Sequence, residues 1–185
     1  MDKTARQTLI DIARHSIEHG LVHGVPMPVD SGAYQGVLSV KGACFVTLLL
    51  AKQLRGCIGS LEARRPLVED CAENAFAAAF RDPRFAPITV DEFRRVELHI
   101  SVLSVPQPFA VSSEQDLLAR LEPNRDGLIL CEGRHRATFL PSVWSQLPDP
   151  AAFVSQLKRK AGLSTSYWSD SIRFERYTVE NISES

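Results

Sequence analysis

The feature that most constrains the fold is a pair of apolar segments separated by only three residues. The first covers residues 43–50, the second covers residues 54–60, and the break reads Ala51-Lys52-Gln53. A parallel crossover needs about a dozen residues, so this break predicts an antiparallel hairpin. Any fold of this chain therefore contains an antiparallel sheet.

Helical patterns and further strands flank this hairpin. Apolar periodicity, caps and breakers predict helices over residues 4–19, 67–80, 112–121 and 150–161, and a capping box from Thr89 to Glu92 predicts a short one. Alternation and turn residues predict strands over residues 95–105, 127–130, 136–140 and 171–180, with a hairpin turn at Glu132-Gly133. Strands and helices do not alternate regularly, which favours an α+β fold with mixed or antiparallel sheets and flanking helices.

Length and charge narrow the class of protein. The 185 residues suit one domain over 1–185, or two tightly packed lobes. A formal net charge of -1 argues against a strong nonspecific grip on nucleic acid. The longest apolar run, residues 43–51, is far shorter than the roughly 20 residues that span a bilayer. With no signal-peptide core at the start, we expect a cytoplasmic protein without a membrane partner.

No pattern in the sequence predicts a cofactor or a metal site. The four cysteines form no Cys-x-x-Cys pair and are expected to be reduced, and there is no glycine-rich phosphate loop. His15, His19 and His23 are spaced by four residues, but Gly20 is predicted to end the first helix before His23. Exposed helix histidines are therefore favoured over a zinc site, and metal binding by His15 and His19 stays open.

The segment around Cys57 is the strongest functional candidate. In an extended strand alternate residues share a face, which groups Arg55, Cys57 and Gly59 against Leu54, Gly56 and Ile58. Leu54 and Ile58 would anchor the strand to the core, while Gly56 and Gly59 leave little bulk beside the thiol. Arg55, and the start of the helix over residues 67–80, would favour a reactive thiolate. A buried structural cysteine is the alternative.

A family resemblance runs through nearly the whole chain. The run Leu54-Arg55-Gly56-Cys57-Ile58-Gly59 is the hallmark of the AMMECR family, also called AmmeMemoRadiSam system protein A. The run Arg81-Asp82-Pro83-Arg84-Phe85 resembles its second signature, and Arg125-Asp126-Gly127 and Phe139-Leu140-Pro141 continue the resemblance in order. Asn124 departs from it, because a glycine is expected there.

The resemblance implies an α+β fold of two unequal lobes around a cleft, with both signatures near that cleft. It implies association with a Memo-type protein and a radical SAM protein. It implies no particular reaction.

Two further groups are candidates for the same site. Arg81, Asp82 and Arg84 could hold a carboxylate or phosphate, although caps and turns at a helix end explain them slightly better. His99 lies on the polar face of a strand and could be the base that activates Cys57, or it could belong to a solvated face.

The sequence thus leaves two functions near parity. In one, Cys57 acts on a small molecule or peptide in the cleft, with Arg55, Gly56, Gly59, Arg81, Asp82 and Arg84 binding it. In the other, the same cleft is a non-catalytic binding module for a ligand or protein. Nucleic-acid binding is disfavoured by the net charge.

Overall fold

A computed structural model of the chain describes residues 1–184 and confirms the α+β class with antiparallel strand pairs. The helices are α1 (Lys3–His23), α2 (Leu67–Phe80), α3 (Val90–Phe93), α4 (Glu114–Arg120) and α5 (Pro150–Lys160). The strands are β1 (Lys41–Leu50), β2 (Gln53–Gly59), β3 (Arg65–Pro66), β4 (Glu97–Leu103), β5 (Gln107–Pro108), β6 (Gly127–Glu132), β7 (His135–Phe139), β8 (Arg173–Tyr177) and β9 (Val179–Ser183).

The first helix is longer than the sequence predicts. The expected stop at Gly20 is wrong, since α1 continues to His23 and ends at Gly24, whose φ of 71° is left-handed. Gly20 serves packing instead, because a Cβ there would lie 2.5 Å from the Phe80 ring and 2.7 Å from that of Phe76. The glycine therefore lets α1 approach α2 closely.

Contacts divide the chain into two compact units. One unit comprises Met1–Leu103 with the C-terminal residues from Glu180, and the other comprises Ser104–Val179. No helix within residues 1–184 has both the length and the apolar character to cross a membrane.

The first unit is built on a sheet in the order β2-β1-β4-β9, with β3 pairing to β1. One face of this sheet is fully apolar and packs with α1 and α2. It carries Cys44, Val46, Leu48, Leu98, Ile100 and Val102, all 0–7% exposed. Burial of each large aliphatic side chain stabilises the fold by roughly 1.5–3 kcal/mol, so this layer fixes the sheet against the helices.

The predicted hairpin between β1 and β2 is confirmed, with a loop of two residues. Leu50 pairs with Gln53, and Ala51 and Lys52 both have positive φ, 50° and 64°. This is the backbone of a type I′ turn, whose twist matches that of the strands it joins. The turn sets the register from which the position of Cys57 follows.

The second unit has a sheet in the order β5-β8-β6-β7 with its own apolar core. Trp144 is fully buried and stacks on Phe153 at a centroid distance of 3.8 Å. Lys158 of α5 is also fully buried, and its ammonium donates to Glu114 at 2.8 Å and to the carbonyl of Thr165 at 3.2 Å.

Two sequence predictions in the C-terminal half are corrected. The single strand over residues 171–180 is two strands in different sheets, because Thr178 pairs its backbone with Ser104 and interrupts the ladder. The turn predicted at Glu132-Gly133 lies one residue later, since Glu132 still pairs with His135.

Candidate functional site

A β-bulge in β2 determines which way Cys57 faces. Leu49 pairs with Leu54, but Leu48 pairs with Gly56, so Arg55 is an extra residue on its strand. Without it, the register of the turn would place Cys57 opposite Val46, which is in the core. A slip of one residue moves a side chain to the other face of a sheet. The bulge therefore takes the thiol out of the core.

Cys57 lies instead on the second face of the sheet, away from α1 and α2. We call this the thiol face; it carries Phe45, Thr47, Cys57, His99 and Ser101, which share one side by their register. All five are partly buried, in contrast to the sealed core face. A thiol in this position is partly open to solvent.

The hydroxyl of Thr47 is the polar group that contacts the thiol. Thr47 lies directly opposite Cys57, and its Oγ1 donates a hydrogen bond to Sγ at 3.1 Å. A donor on sulfur stabilises the charged form over the neutral one. Thr47 can therefore support a thiolate at Cys57.

The backbone of Cys57 is held by an ion pair in place of a neighbouring strand. Its N–H donates to Oδ2 of Asp82 at 2.9 Å, and its carbonyl accepts from Nη2 of Arg84 at 3.2 Å. The two side chains also bind each other in a fork, at 2.9 and 2.6 Å. Because β2 is an edge strand, the N–H and the carbonyl of Cys57 have no neighbouring strand to pair with, and the two side chains satisfy both groups.

The same pair sets the local electrostatics. The guanidinium of Arg84 holds the pKa of Asp82 well below its usual range, although burial opposes this shift. Asp82 raises the pKa of Arg84, and the nearby Cys57 adds a smaller effect in the same direction. Arg84 is therefore a cation beside Cys57, with its charge partly balanced by Asp82.

Arg55 is engaged elsewhere. Its guanidinium forms a fork with Glu92 at 2.9 and 3.0 Å, and it donates to the carbonyl of Ala86 at 3.0 Å. The hydrogen bond from Arg55 lowers the pKa of Glu92 to about 2. The sequence predicts Arg55 as the cation beside the thiol, whereas its guanidinium is paired with Glu92 of α3.

One aromatic ring lies against both arginines. The guanidinium carbon of Arg84 is 5.5 Å from the ring centroid of Phe85, and that of Arg55 is 5.8 Å from it. Both distances are within the range of cation–π attraction. Phe85 therefore joins the two signature runs of the sequence into one cluster.

The two glycines of the hallmark serve packing. A Cβ on Gly56 would lie 2.1 Å from the carbonyl oxygen of Ala78 in α2, and one on Gly59 would lie 2.2 Å from the ring of Phe45. Gly56 thus marks the close approach of another backbone. The space freed by both residues is occupied by the protein itself.

Two other expectations around Cys57 are wrong. Leu54 does not anchor the core, because the register of the turn pairs it with Leu49 on the thiol face, where it is 42% exposed; Ile58, beyond the bulge, does pack on the core. The part of α2 that lies against Gly56, the neighbour of Cys57, is Ala78, near the C-terminus of the helix. Its dipole therefore does not assist a thiolate there as its N-terminus would.

His99 lies in the same row as the thiol, but one strand further away. Thr47 pairs with Cys57 on one side and with His99 on the other. Two strand spacings amount to about 9.5 Å, so the hydroxyl of Thr47 stands between the sulfur and the imidazole.

Arg81 takes a local role. Its N–H caps α2 by donating to Ala77, and its guanidinium lies 4.7 Å from the ring centroid of Phe76. The end of α2 at Phe80 agrees with the helix predicted over residues 67–80.

The other cysteines differ from Cys57 in their surroundings. Cys44 and Cys71 are fully buried, and the pKa of Cys44 is raised by contact with the Cys71 thiol and by burial. Cys131 is partly buried like Cys57, on β6. In residues 1–184 all four thiols are free, and no group of three or more His, Cys, Asp or Glu side chains could hold a metal.

Sequence reasoning missed Thr47 and Glu92 as parts of the site. Thr47 interrupts the apolar run of β1, which is a signal, but its partner depends on the bulge at Arg55. Glu92 was recognised only as the third residue of a capping box. It fills that role, and it also binds Arg55, 37 residues away.

Fold and site together define a class: an α+β protein with a partly open cysteine on a bulged edge strand, held by an Asp–Arg pair. The AMMECR1 family model matches residues 10–182, and the chain belongs to this family, whose function is uncharacterised. Protein MJ0810 of Methanocaldococcus jannaschii is 34% identical over 93% of this chain and 86% of its own length. Protein SSO0193 of Saccharolobus solfataricus is 36% identical over 91% of this chain and 77% of its own length.

The chain is also similar to a solved structure. The crystal structure of the uncharacterized protein PH0010 from Pyrococcus horikoshii matches with a TM-score of 0.74 and 29% identity, covering 94% of this chain and 88% of that one. The family predicted from the hallmark residues and the α+β fold class are confirmed.

Proposed function

We propose that this protein is a thiol-dependent enzyme that acts on a small molecule or peptide, with Cys57 as nucleophile. The observation that carries the proposal is the bulge at Arg55, which turns Cys57 onto the thiol face where Thr47 donates to its sulfur at 3.1 Å. A packing cysteine would need neither the bulge nor a hydrogen-bond donor.

The proposed step is a substitution at an electron-poor carbon. The Cys57 sulfur forms a bond to that carbon, the bond to the leaving group breaks, and the leaving group departs with the electron pair and a proton. The thiolate is the reactive form of cysteine, and a donor that stabilises it raises its population. Thr47 supplies that donor.

His99 is proposed to act as base by way of Thr47. The three side chains form one row, so the Thr47 hydroxyl, which donates to the sulfur here, can accept the proton of Cys57 once it turns to donate its own to the imidazole. In this arrangement His99, on β4, holds the proton and is separated from the sulfur on β2 by the intervening strand β1.

Anion binding at this site is assigned to Arg84 and not to Arg55. The Arg84 side chain is 53% exposed, and its Nη1 makes no hydrogen bond within residues 1–184. Arg55 is only 12% exposed and is paired with Glu92. A carboxylate or phosphate on the substrate would therefore meet Arg84 beside the thiol.

We further propose that the enzyme works with a Memo-type protein and a radical SAM protein. Support for this step comes from the hallmark run from Leu54 to Gly59 and the signature from Arg81 to Phe85, which resemble the system's protein A.

The activity can be tested with an activated ester as probe. On mixing the folded protein with p-nitrophenyl acetate, we expect a burst of one p-nitrophenol per chain and an acetyl group on the Cys57 peptide. Cys57→Ala should lose the burst, while Cys131→Ala should keep it. A burst that survives Cys57→Ala, or an acetyl group found first on Cys131, would contradict the proposal.

The second candidate is a non-catalytic binding module, favoured by one observation. Leu54 is 42% exposed on the thiol face, and the Arg84 side chain that donates to the Cys57 carbonyl is 53% exposed, so the site offers both an apolar and a charged group for contact. In that case Cys57→Ser leaves ligand or partner binding intact and Arg84→Ala weakens it. Loss of a chemical activity on Cys57→Ser alone would exclude this candidate.

A further inference from the structure

The last turn of α1 brings two imidazoles together. Because α1 continues past Gly20 to His23, the four-residue spacing places His19 and His23 on one helix face. Their ring centroids are 4.3 Å apart, with an angle of 39° between the planes. His23 is exposed and His19 is half-buried, so the pair is open to solvent on one side.

The proton of His19 is fixed by the chain that follows the helix. Nδ1 of His19 lies 3.0 Å from the carbonyl oxygen of Val25. A carbonyl can only accept, so Nδ1 carries the hydrogen, and in the neutral ring Nε2 keeps a free lone pair. Metal-binding histidines are oriented in this way, with the second ring nitrogen donating to a carbonyl or carboxylate.

We propose that His19 and His23 form a binding site for a divalent transition-metal ion of the zinc, nickel or copper class. Two histidines at this spacing on one helix face can bind one ion, and imidazole prefers these metals to magnesium or calcium. No third His, Cys, Asp or Glu within residues 1–184 completes a group around them. Water or an external ligand fills the remaining positions, so affinity is lower than at a four-ligand structural zinc site.

Calorimetric titration of the metal-stripped protein with Zn²⁺ at neutral pH tests the proposal. We expect one site per chain, and a loss of affinity of at least about tenfold in His19→Gln and in His23→Gln, since each removes one of two ligands. His15→Gln is the matched control, because His15 is an exposed histidine on the same helix. The Zn²⁺ affinity of this variant should stay within about twofold of wild type. Mg²⁺ should give no heat of binding.

A second control separates this site from the cysteines. Cys57→Ser should leave Zn²⁺ binding unchanged, and circular dichroism should show equal helix content in all variants. The proposal is overturned if Zn²⁺ does not bind, if His19→Gln binds as wild type, if His15→Gln loses affinity as His19→Gln does, or if Cys57→Ser abolishes binding.

Discussion

Thr47 and Cys57 face each other across β1 and β2, and the hydroxyl of Thr47 donates to the sulfur at 3.1 Å. The pair exists because a single extra residue, Arg55, shifts the register between turn and thiol. Arg55 is in turn bound by Glu92, so an ion pair connects the bulge to α3. The chemistry proposed for Cys57 therefore depends on backbone geometry as much as on the cysteine.

Replacing Thr47 tests whether its hydroxyl supports the thiolate. Thr47→Val keeps the shape and removes the donor, so alkylation of Cys57 should slow by about tenfold, the value of a hydrogen bond to a charged group. Thr47→Ser retains a hydroxyl and should stay close to wild type. Iodoacetamide labelling followed by peptide mass spectrometry measures both rates; equal rates for Val and Ser would show that the hydrogen bond has no role.

The Arg55–Glu92 pair predicts a loss of stability in acid. The folded pKa of Glu92 is about 2, below the unfolded value of about 4.3. A depressed folded pKa stabilises the protein above the unfolded pKa, and this stability is lost as the pH falls from about 4.3 towards about 2. The free energy of unfolding, measured in urea at pH 6 and at pH 3, should therefore fall less between the two pH values for Glu92→Gln than for wild type.

Asp91→Asn is the control for that measurement. Asp91 is the preceding residue, but its carboxylate is 86% exposed and 3.9 Å from Arg94, so its substitution should leave the acid dependence unchanged. If the free energy of unfolding fell equally between pH 6 and pH 3 in Glu92→Gln and in wild type, the Arg55–Glu92 pair would not be stabilising.

Gly56→Ala should destabilise the first unit strongly. The added Cβ would lie 2.1 Å from the carbonyl oxygen of Ala78, and a helix backbone cannot move aside as a side chain can. We expect a loss of about 3 kcal/mol in the free energy of unfolding, the upper end for overpacking. In Gly32→Ala the added Cβ would contact only the Asp30 side chain, at 3.1 Å, so the free energy of unfolding should change little. Urea denaturation of both variants checks this, and equal stability would contradict the packing role.

The buried ion pair of the second unit predicts an asymmetry between its partners. Lys158 is fully buried, whereas the side chain of Glu114 is 33% exposed. Glu114→Ala leaves a buried ammonium without its counter-charge and should lower the free energy of unfolding by about 3 kcal/mol or more. In Lys158→Met the partly exposed carboxylate of Glu114 can be hydrated instead, so the loss should be smaller. Thermal and urea unfolding should rank Lys158→Met as the more stable variant. The reverse order would show that burial of the charge is not the dominant cost.

Much of the fold could be predicted because local signals were unambiguous. The short break after β1 and the capping box at Thr89 each determine structure within a few residues. Where a distant partner overrides the local signal, prediction failed. Gly20 has the form of a helix stop, yet its role is to admit the rings of Phe76 and Phe80.

The candidate site was predicted only in part, for a related reason. The hallmark residues identified the strand and its cysteine, but alternation along β2 could not reveal the bulge that places Cys57 on the same face as Leu54. Partners of charged residues were equally hidden, since Arg55 is bound by Glu92 and the Cys57 N–H by Asp82, both far along the chain. Register and long-range pairing are properties of the assembled sheet and not of any short segment.

The most direct test of the thiol proposal is the rate of iodoacetamide labelling at Cys57 relative to Cys131 in the folded protein. Both cysteines are partly buried, but within residues 1–184 a hydroxyl donates to the sulfur of Cys57 and none donates to that of Cys131. We predict that Cys57 reacts several times faster in the folded state and that the two rates converge in urea. A Cys57 that labels no faster than Cys131 in the folded protein would contradict the account.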